Sequence, residues 1–331
     1  MEVFMTNSEK LFLLLAEELN FSRAAKKAFI SQQCLSDHIR RLEEHYGTDL
    51  FFRRPNVMLT DAGKAVQRTL LNVLKLEQGL SNELSEIEDG SQGTLRIGMN
   101  SSRAQLLLPE VFAQYSERYP RVSIELVLGE TEAMQEKMNK GLLDCYLGVN
   151  ARFDELMVSY MVAYESLYLM VSDNYLRDRL GVEPDRFVNQ KSELDFSIFQ
   201  DQPFAINGGN STTHQAIQQY FTHSNVSPNV VFLVSDYGIL ETLCRANRVA
   251  TFCPQIYVPT ILSHNANYTK EEHLCLLPVR ELNQVLRLDL INNRALHYPR
   301  YMLDFFSLLS EYIRGYLTRA ESGQSAENTY R

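Results

Sequence analysis

Apolar positions recur in three different rhythms along the 331 residues. Up to about residue 60 they fall at short helical spacings broken by polar turns. One stretch there, Leu50-Phe51-Phe52-Arg53-Arg54-Pro55-Asn56-Val57-Met58-Leu59, reads as two short strands about a Pro-Asn turn. Residues 61–88 form one long amphipathic run. Asp89-Gly90-Ser91-Gln92-Gly93 ends it, because two glycines among small polar residues do not carry a helix onward. From Leu95 short apolar runs alternate with amphipathic stretches, the pattern of an α/β fold. Strands are predicted at Leu95–Met99, Val122–Val127, Asp144–Val149, Leu167–Val171, Phe204–Ile206, Val230–Val234, Val249–Cys253 and Leu286–Leu290. Helices are predicted between most of them, including Leu106–Tyr119, closed by Pro120, and Thr213–Thr222. A last helix is predicted at Tyr301–Leu317, followed by a polar tail, Glu321–Arg331, predicted to be disordered.

The segment from Asn20 to Ser31 carries two helix-start signals nine residues apart. Ser22 is predicted to cap a short helix in which Ala24, Ala25 and Ala28 permit close helix packing. Ser31 is predicted to cap a second helix running to Tyr46 before Gly47, with Phe29 and Ile30 filling the turn. On that second helix Leu35, Ile39, Leu42 and Tyr46 share one face and are predicted core. Gln33, Asp37 and Arg40 then point outward, with Ser36 at the flank and Gln32 on the first turn. Helix, tight turn, helix is the layout of a DNA reader whose outward amides and guanidinium pair with base edges. Arg53 and Arg54 at the hairpin tip suit a wing lying on phosphates. The candidate DNA-contacting set is Ser22, Arg23, Ser31, Gln32, Gln33, Ser36, Arg40, Arg53 and Arg54.

With Phe21-Ser22-Arg23-Ala24-Ala25, Ser31-Gln32, Leu35-Ser36, Ile39-Arg40-Arg41-Leu42-Glu43, Leu50-Phe51, Arg53 and Leu59-Thr60-Asp61-Ala62-Gly63 in this order, the chain resembles the LysR-type transcriptional regulators. The resemblance implies a winged helix-turn-helix at 1–60, a dimerising linker helix at 61–88, a hinge at 89–93 and an α/β effector domain at 94–318. It implies two lobes like those of periplasmic binding proteins, about 94–163 with 269–318 and about 164–268, then a disordered tail at 319–331. Double-stranded operator DNA, a small-molecule effector, a second copy of the chain (a dimer or tetramer) and RNA polymerase are the partners it implies. The chain departs from the family pattern at Gln33-Cys34, where Pro-Ala is common, at Asp37, and at Arg245-Ala246-Asn247-Arg248, where glycines are common. An outward Asp37 accepts from cytosine rather than attracting phosphate, which bears on the operator sequence. The stretch Arg177–Gln202 is longer than usual and implies an added element in the second lobe.

Thr60 is placed to cap the long helix, and Val66, Thr69, Val73, Leu76, Leu80, Glu83 and Ile87 follow a 3-4 spacing along it. A seam of that length on a small domain asks for a partner, and a second copy is the simplest one. In the effector half two strand-to-helix junctions, Asn100-Ser101-Ser102-Arg103 and the loop from Asn207 to Thr213, place backbone N–H groups and hydroxyls past strand ends. The candidate effector set is Asn100, Ser101, Ser102, Arg103, Thr131, Asn207, Ser211 and Thr212, and the expected ligand is a small carboxylate.

Charge sharpens this picture. The net charge is −9, yet residues 22–54 hold seven basic groups against four acidic ones, a local +3 suited to phosphate on an otherwise acidic chain. Cys34, Cys145, Cys244, Cys253 and Cys275 are dispersed without a CxxC pair, which argues against a disulfide framework or zinc site. Redox sensing would require two of Cys244, Cys253 and Cys275 to meet. There is no GxSxG elbow, P-loop, GxGxxG or HExxH, so no catalytic residue, metal or cofactor is expected. No apolar run is long enough for a membrane span, and the expected location is the cytoplasm.

Overall fold

The computed structural model describes residues 5–88, 92–152, 157–184, 195–208, 211–279, 282, 285–294, 296 and 298–327. The chain divides into two compact units, one built on residues up to 90 and a larger one on most of the rest. Residues 89–91 of the expected hinge lie outside the described residues.

The first unit packs α1 (Asn7–Glu18), α2 (Phe21–Lys27) and α3 (Gln32–Tyr46) around Phe12, Leu15, Ala24, Ala25, Leu35, Ile39 and Leu42. The cap of α2 is Asn20, whose side chain accepts from the Arg23 N–H, and not Ser22 as the sequence suggested. Asn20 has the extended backbone a cap needs, whereas Ser22 already lies inside the helix. Ser31 caps α3 by accepting from the Cys34 N–H. Of the two turn residues only Ile30 packs on the core. Phe29, at φ 55°, stands 96% exposed because a left-handed backbone turns its side chain away from the helices. Tyr46, expected in the core, is exposed on the last turn of α3, beyond the end of the facing helices.

Strands β1 (Phe51–Phe52) and β2 (Met58–Leu59) pair antiparallel into the hairpin. Thr60 then caps α4 (Asp61–Glu88), accepting from the Gly63 N–H at 2.9 Å. Gly63 has no room for a side chain. A Cβ there would strike the Leu50 carbonyl oxygen and sit 2.9 Å from Leu59 Cδ2. The apolar stripe of α4 does two things. Ala62, Val66, Leu70, Val73 and Leu74 pack on the core of their own unit. Leu76 and Leu80 of the expected seam, with Leu84 beside it, are 57%, 38% and 41% exposed, so its leucines open to a partner lie in the second half. Thr69 is exposed, and the side chains of Glu83 and Ile87 lie outside the described ones.

The second unit follows the predicted alternation. It runs β3 (Gln92–Met99), α5 (Ser101–Arg118), β4 (Arg121–Leu128), α6 (Thr131–Asn139), β5 (Cys145–Val149), β6 (Met157–Ser172), α7 (Asp173–Leu180) and β7 (Pro203–Ile206). There follow α8 (Thr212–Ser224), β8 (Asn229–Leu233), α9 (Tyr237–Arg245), β9 (Thr251–Pro254), α10 (Val258–Asn265), β10 (Leu274–Leu277), β11 (Val285–Asn293) and α11 (Arg300–Glu327). All eight predicted strands are present. The sequence reading missed β10 and the first ten residues of β6, whose mixed apolar and polar order carries no clean period of two. α5 starts at Ser101, five residues before the apolar pattern does, because Asn100 caps it, and Pro109 interrupts its backbone bonds without ending it. The backbone of 321–327, expected to be disordered, continues α11. Arg319, Ala320 and Glu321 favour helix, and no proline stops it.

β6 is the spine of the unit. Residues 157–166 pair with β11 in the sheet β4-β3-β5-β11-β6 of the first lobe. Residues 167–172 pair instead with β9 and β10 in the second lobe. Parallel β7 and β8 complete that lobe, joined to it by a bridge from Phe204 to Ala250. The second lobe's core is aromatic, with Phe196, Phe199, Phe204, Tyr220 and Phe252 in mutual ring contact. Phe196 and Phe199 come from a 3₁₀ turn within the long 177–202 stretch, so that part of the added element plugs the core; residues 185–194 lie outside the described ones.

Two outcomes follow from this packing. Gly63→Ala is expected to lower stability by about 1–3 kcal/mol through overpacking, read as a shifted denaturation midpoint. Leu80→Lys would set like charges against each other in a seam built by two copies. Sedimentation of the full chain is expected to show weaker self-association than wild type, and an unchanged profile would remove α4 from the contact.

Candidate functional site

On the first unit, Gln32, Gln33, Ser36 and Arg53 line one shallow concavity with Phe21 and Val57. Ser31, Gln32, Gln33 and Arg40 are exposed and Ser36 is half-buried, so the outward face of α3 is the one the spacing predicted. Ser22 donates from its hydroxyl to Gln32 Oε1 at 3.0 Å, which leaves the Gln32 N–H groups facing out. Arg40 lies 3.6 Å from Asp37 and 3.8 Å from Glu44, both exposed pairs of the kind that contribute little. Its guanidinium is free to exchange them for a phosphate or a base.

Two of the predicted DNA-contacting arginines are already engaged within the unit. Arg53 donates to Glu43 Oε2 at 2.7 Å and lies over the Phe21 ring. Glu43 is buried, and its other oxygen accepts from the Leu50 and Phe51 N–H groups at 3.0 and 3.3 Å. One carboxylate therefore ties the root of the hairpin to α3. Arg23 pairs with Glu18 at 3.1 Å and donates to the Glu18 carbonyl. Arg54 is exposed at the hairpin tip. Sequence reasoning missed Glu43. An acidic residue directly after Leu42, on the core face, was the available signal.

In the second unit the predicted junctions meet. Thr131 Oγ1 accepts from the Val149 N–H at 3.1 Å, and Thr212 Oγ1 donates to the Val149 carbonyl at 2.9 Å. The N-termini of α6 and α8, from different lobes, thus share the end of β5. Ser102 Oγ accepts from the Tyr237 N–H at 3.4 Å, and Asn207 Nδ2 meets the Tyr237 hydroxyl at 3.4 Å. Asn100 and Ser211 serve as caps, accepting from the Arg103 and His214 N–H groups. Ser101 is half-buried on the first turn of α5. Asn207 is buried with its Oδ1 unpartnered.

Arg103 is not the open counter-charge the sequence suggested. It is 1% exposed and ion-paired to Glu165, a residue equally buried in the middle of β6. Burial pushes the Glu165 carboxyl up, while Arg103 and the Ile256 N–H draw it back. Glu130, also raised by burial and lowered by Arg103, stands beside them at the foot of α6. Tyr237 and Tyr257 stack at 4.4 Å against the same group. The polar signal for Glu165 was visible as a lone acid in an apolar run, but its partner was not. Cys244 and Cys253 are buried in this lobe and burial raises both thiols, so neither is poised as a reactive thiolate. Among the described residues no group of His, Cys, Asp and Glu side chains is arranged to hold a metal, and no helix is long and apolar enough to cross a membrane.

Residues 88–270, more than half of the chain, match the family model described as LysR substrate binding domain. Residues 7–64 match the bacterial regulatory helix-turn-helix protein, lysR family. YkuM of Bacillus subtilis (strain 168), an uncharacterized HTH-type transcriptional regulator, is 27% identical over 169 residues, 49% of this chain and 58% of that protein. That match spans less than two thirds of the relative. The HTH-type transcriptional regulator CysB of Haemophilus influenzae is 22% identical over 308 residues, 92% of this chain and 88% of its own. Among solved structures, a full-length OxyR variant from Pseudomonas aeruginosa superposes with a TM-score of 0.63 at 18% identity, over 94% of this chain and 95% of that one.

Proposed function

The chain belongs to the LysR family of transcription regulators, DNA-binding proteins with an effector-binding domain, and on that premise we propose how its residues divide the work. Residues 1–60 read the operator, 61–88 join two copies, 89–93 act as hinge and 94–318 hold the effector. The concavity lined by Gln32, Gln33, Ser36 and Arg53 carries the first part of this reading. Gln33, Arg40 and Ser36 meet base edges in a major groove, with Gln32 oriented by Ser22. Arg53, Arg54 and Arg23 take phosphates, the first buttressed by Glu43. The exposed leucines of α4 seat a second copy. The open edges β4 and β8, where Leu126, Leu128 and Val230 to Leu233 are exposed, extend that contact to the effector domain. Bound to its promoter in the cytoplasm, the regulator acts through RNA polymerase.

Gel shifts at several salt concentrations test the division. Arg54→Ala is expected to weaken binding equally on all sequences and to flatten the salt dependence. Gln33→Ala is expected to change the ranking of sites by about 1–3 kcal/mol at one base pair. Full-strength operator binding by an Arg53→Ala, Arg54→Ala double variant would overturn the wing's role.

The effector is a small carboxylate seated where α5, α6 and α8 begin. Support comes from the N-termini of α6 and α8, which share the end of β5 through Thr131 and Thr212, and from the start of α5 at the Asn100 cap. Because Arg103 is spent on Glu165, backbone dipoles and hydroxyls, not a guanidinium, hold the anion. Thermal shifts of the full chain with succinate and with benzoate are expected to rise with ligand. That rise is expected to vanish in a Ser102→Ala, Thr131→Ala variant. A shift that survives both substitutions, or none with either carboxylate, sinks the proposal.

A further inference from the structure

Beside the helix N-termini the effector domain holds a pocket of 210 Å³ with a different chemistry. One wall is α5, through Ser102, Gln105 and Leu106, and the other is α9 and α10, through Gly238, Glu241, Ile261 and His264. Tyr237 and Tyr257, both buried and stacked, complete the lining. A cavity of roughly 150 Å³ accepts a benzene ring, so this one has room for a single aromatic ring with one small substituent. Leu106, Ile261 and the two tyrosines supply the apolar and aromatic surface that such a ring meets.

Its one charged acceptor is Glu241, beside the Gln105 amide and the Ser102 and Thr260 hydroxyls, which both donate and accept. Among the described residues the bonds to Glu241 all fall on Oε1: from Arg245 Nε at 3.0 Å, from another Arg245 nitrogen at 2.7 Å and from His264 Nδ1 at 2.9 Å. Oε2 is left for an occupant. A carboxylate only accepts, so His264 Nδ1 donates to it. Among the described residues no lysine or arginine lines the pocket. Arg245 is buried behind Glu241, with its remaining donors on Asn265 Oδ1 and the Ile261 and Glu272 carbonyls. An anion would face the Glu241 carboxylate directly, with the Arg245 cation on the far side of it.

We propose that this is a second small-molecule site, adjoining the carboxylate seat at Ser102 but independent of Thr131, which takes a flat aromatic ring bearing N–H donors of the arylamine or amidine class. Its walls come from both lobes, so its occupant bridges them and biases how they close. Isothermal titration of the full-length protein with benzamidine, benzamide and benzoate compares one shape in three charge states. Benzamidine is expected to bind one per chain, at least tenfold tighter than benzoate binds the Thr131→Ala protein, whose carboxylate seat is disabled. Glu241→Gln is expected to weaken it at least tenfold. Gln105→Trp, at an exposed position, is expected to block it by filling the pocket without touching the Glu241 network. Thr131→Ala, in the carboxylate seat, is expected to leave it unchanged. Equal binding of benzamidine and benzoate to the Thr131→Ala protein, where the carboxylate seat is disabled, or undiminished benzamidine binding to the Gln105→Trp protein, would overturn the site. Loss of benzamidine in Thr131→Ala would overturn its independence. If Glu241→Gln fails to fold, Gln105→Trp alone decides.

Discussion

The effector domain is organised around one ion pair, Arg103 with Glu165, held almost without solvent. Arg103 sits on the first turn of α5 in one lobe. Glu165 sits on β6 where that strand leaves β11 for β9 and β10. Removing either partner would strand a charge in a low-dielectric interior, at a cost of about 3–5 kcal/mol. The pair therefore fixes where the N-terminus of α5 stands relative to the strand that links the lobes. Ser102, one residue away, is placed against Tyr237 as a consequence. Both proposed ligand seats inherit their geometry from that single constraint.

A smaller version of the same device shapes the reader. Glu43 is buried at the junction of α3 and the hairpin, and it satisfies two backbone N–H groups and one guanidinium at once. Its charge is tolerated because both carboxylate oxygens have donors. The result is that the tip of the hairpin and the outward face of α3 hold a fixed spacing, which a surface matching a groove and its flanking phosphates requires. In both units, then, a buried acid sets the position of groups that face a ligand.

Much of this architecture was legible in the residue order. Period-3.6 spacing located α3 and α4, and the cap at Ser31 and the Gly47 stop bounded the reading helix within a residue. Apolar runs located every predicted strand. Local rules failed where two signals competed: Ser22 has a capping side chain, but Asn20 has both the side chain and the extended backbone. Phe29 was expected to fill the turn and was exposed by its left-handed backbone. Within the candidate site set, Arg23, Arg53 and Arg103 each met an acid that sequence spacing does not reveal.

By itself, then, the sequence determined the elements, their order, the family and the face of α3 that is presented outward, because caps, periodicity and turns act over a few residues. Tertiary structure alone decided which charges are spent internally and which remain for a ligand. Arg103 and Glu165 are 62 positions apart, and Thr131, Val149 and Thr212 meet only because strands from two lobes end side by side. Whether a charged group is available for binding depends on what the fold brings within a few ångströms of it, and on how much water is left there.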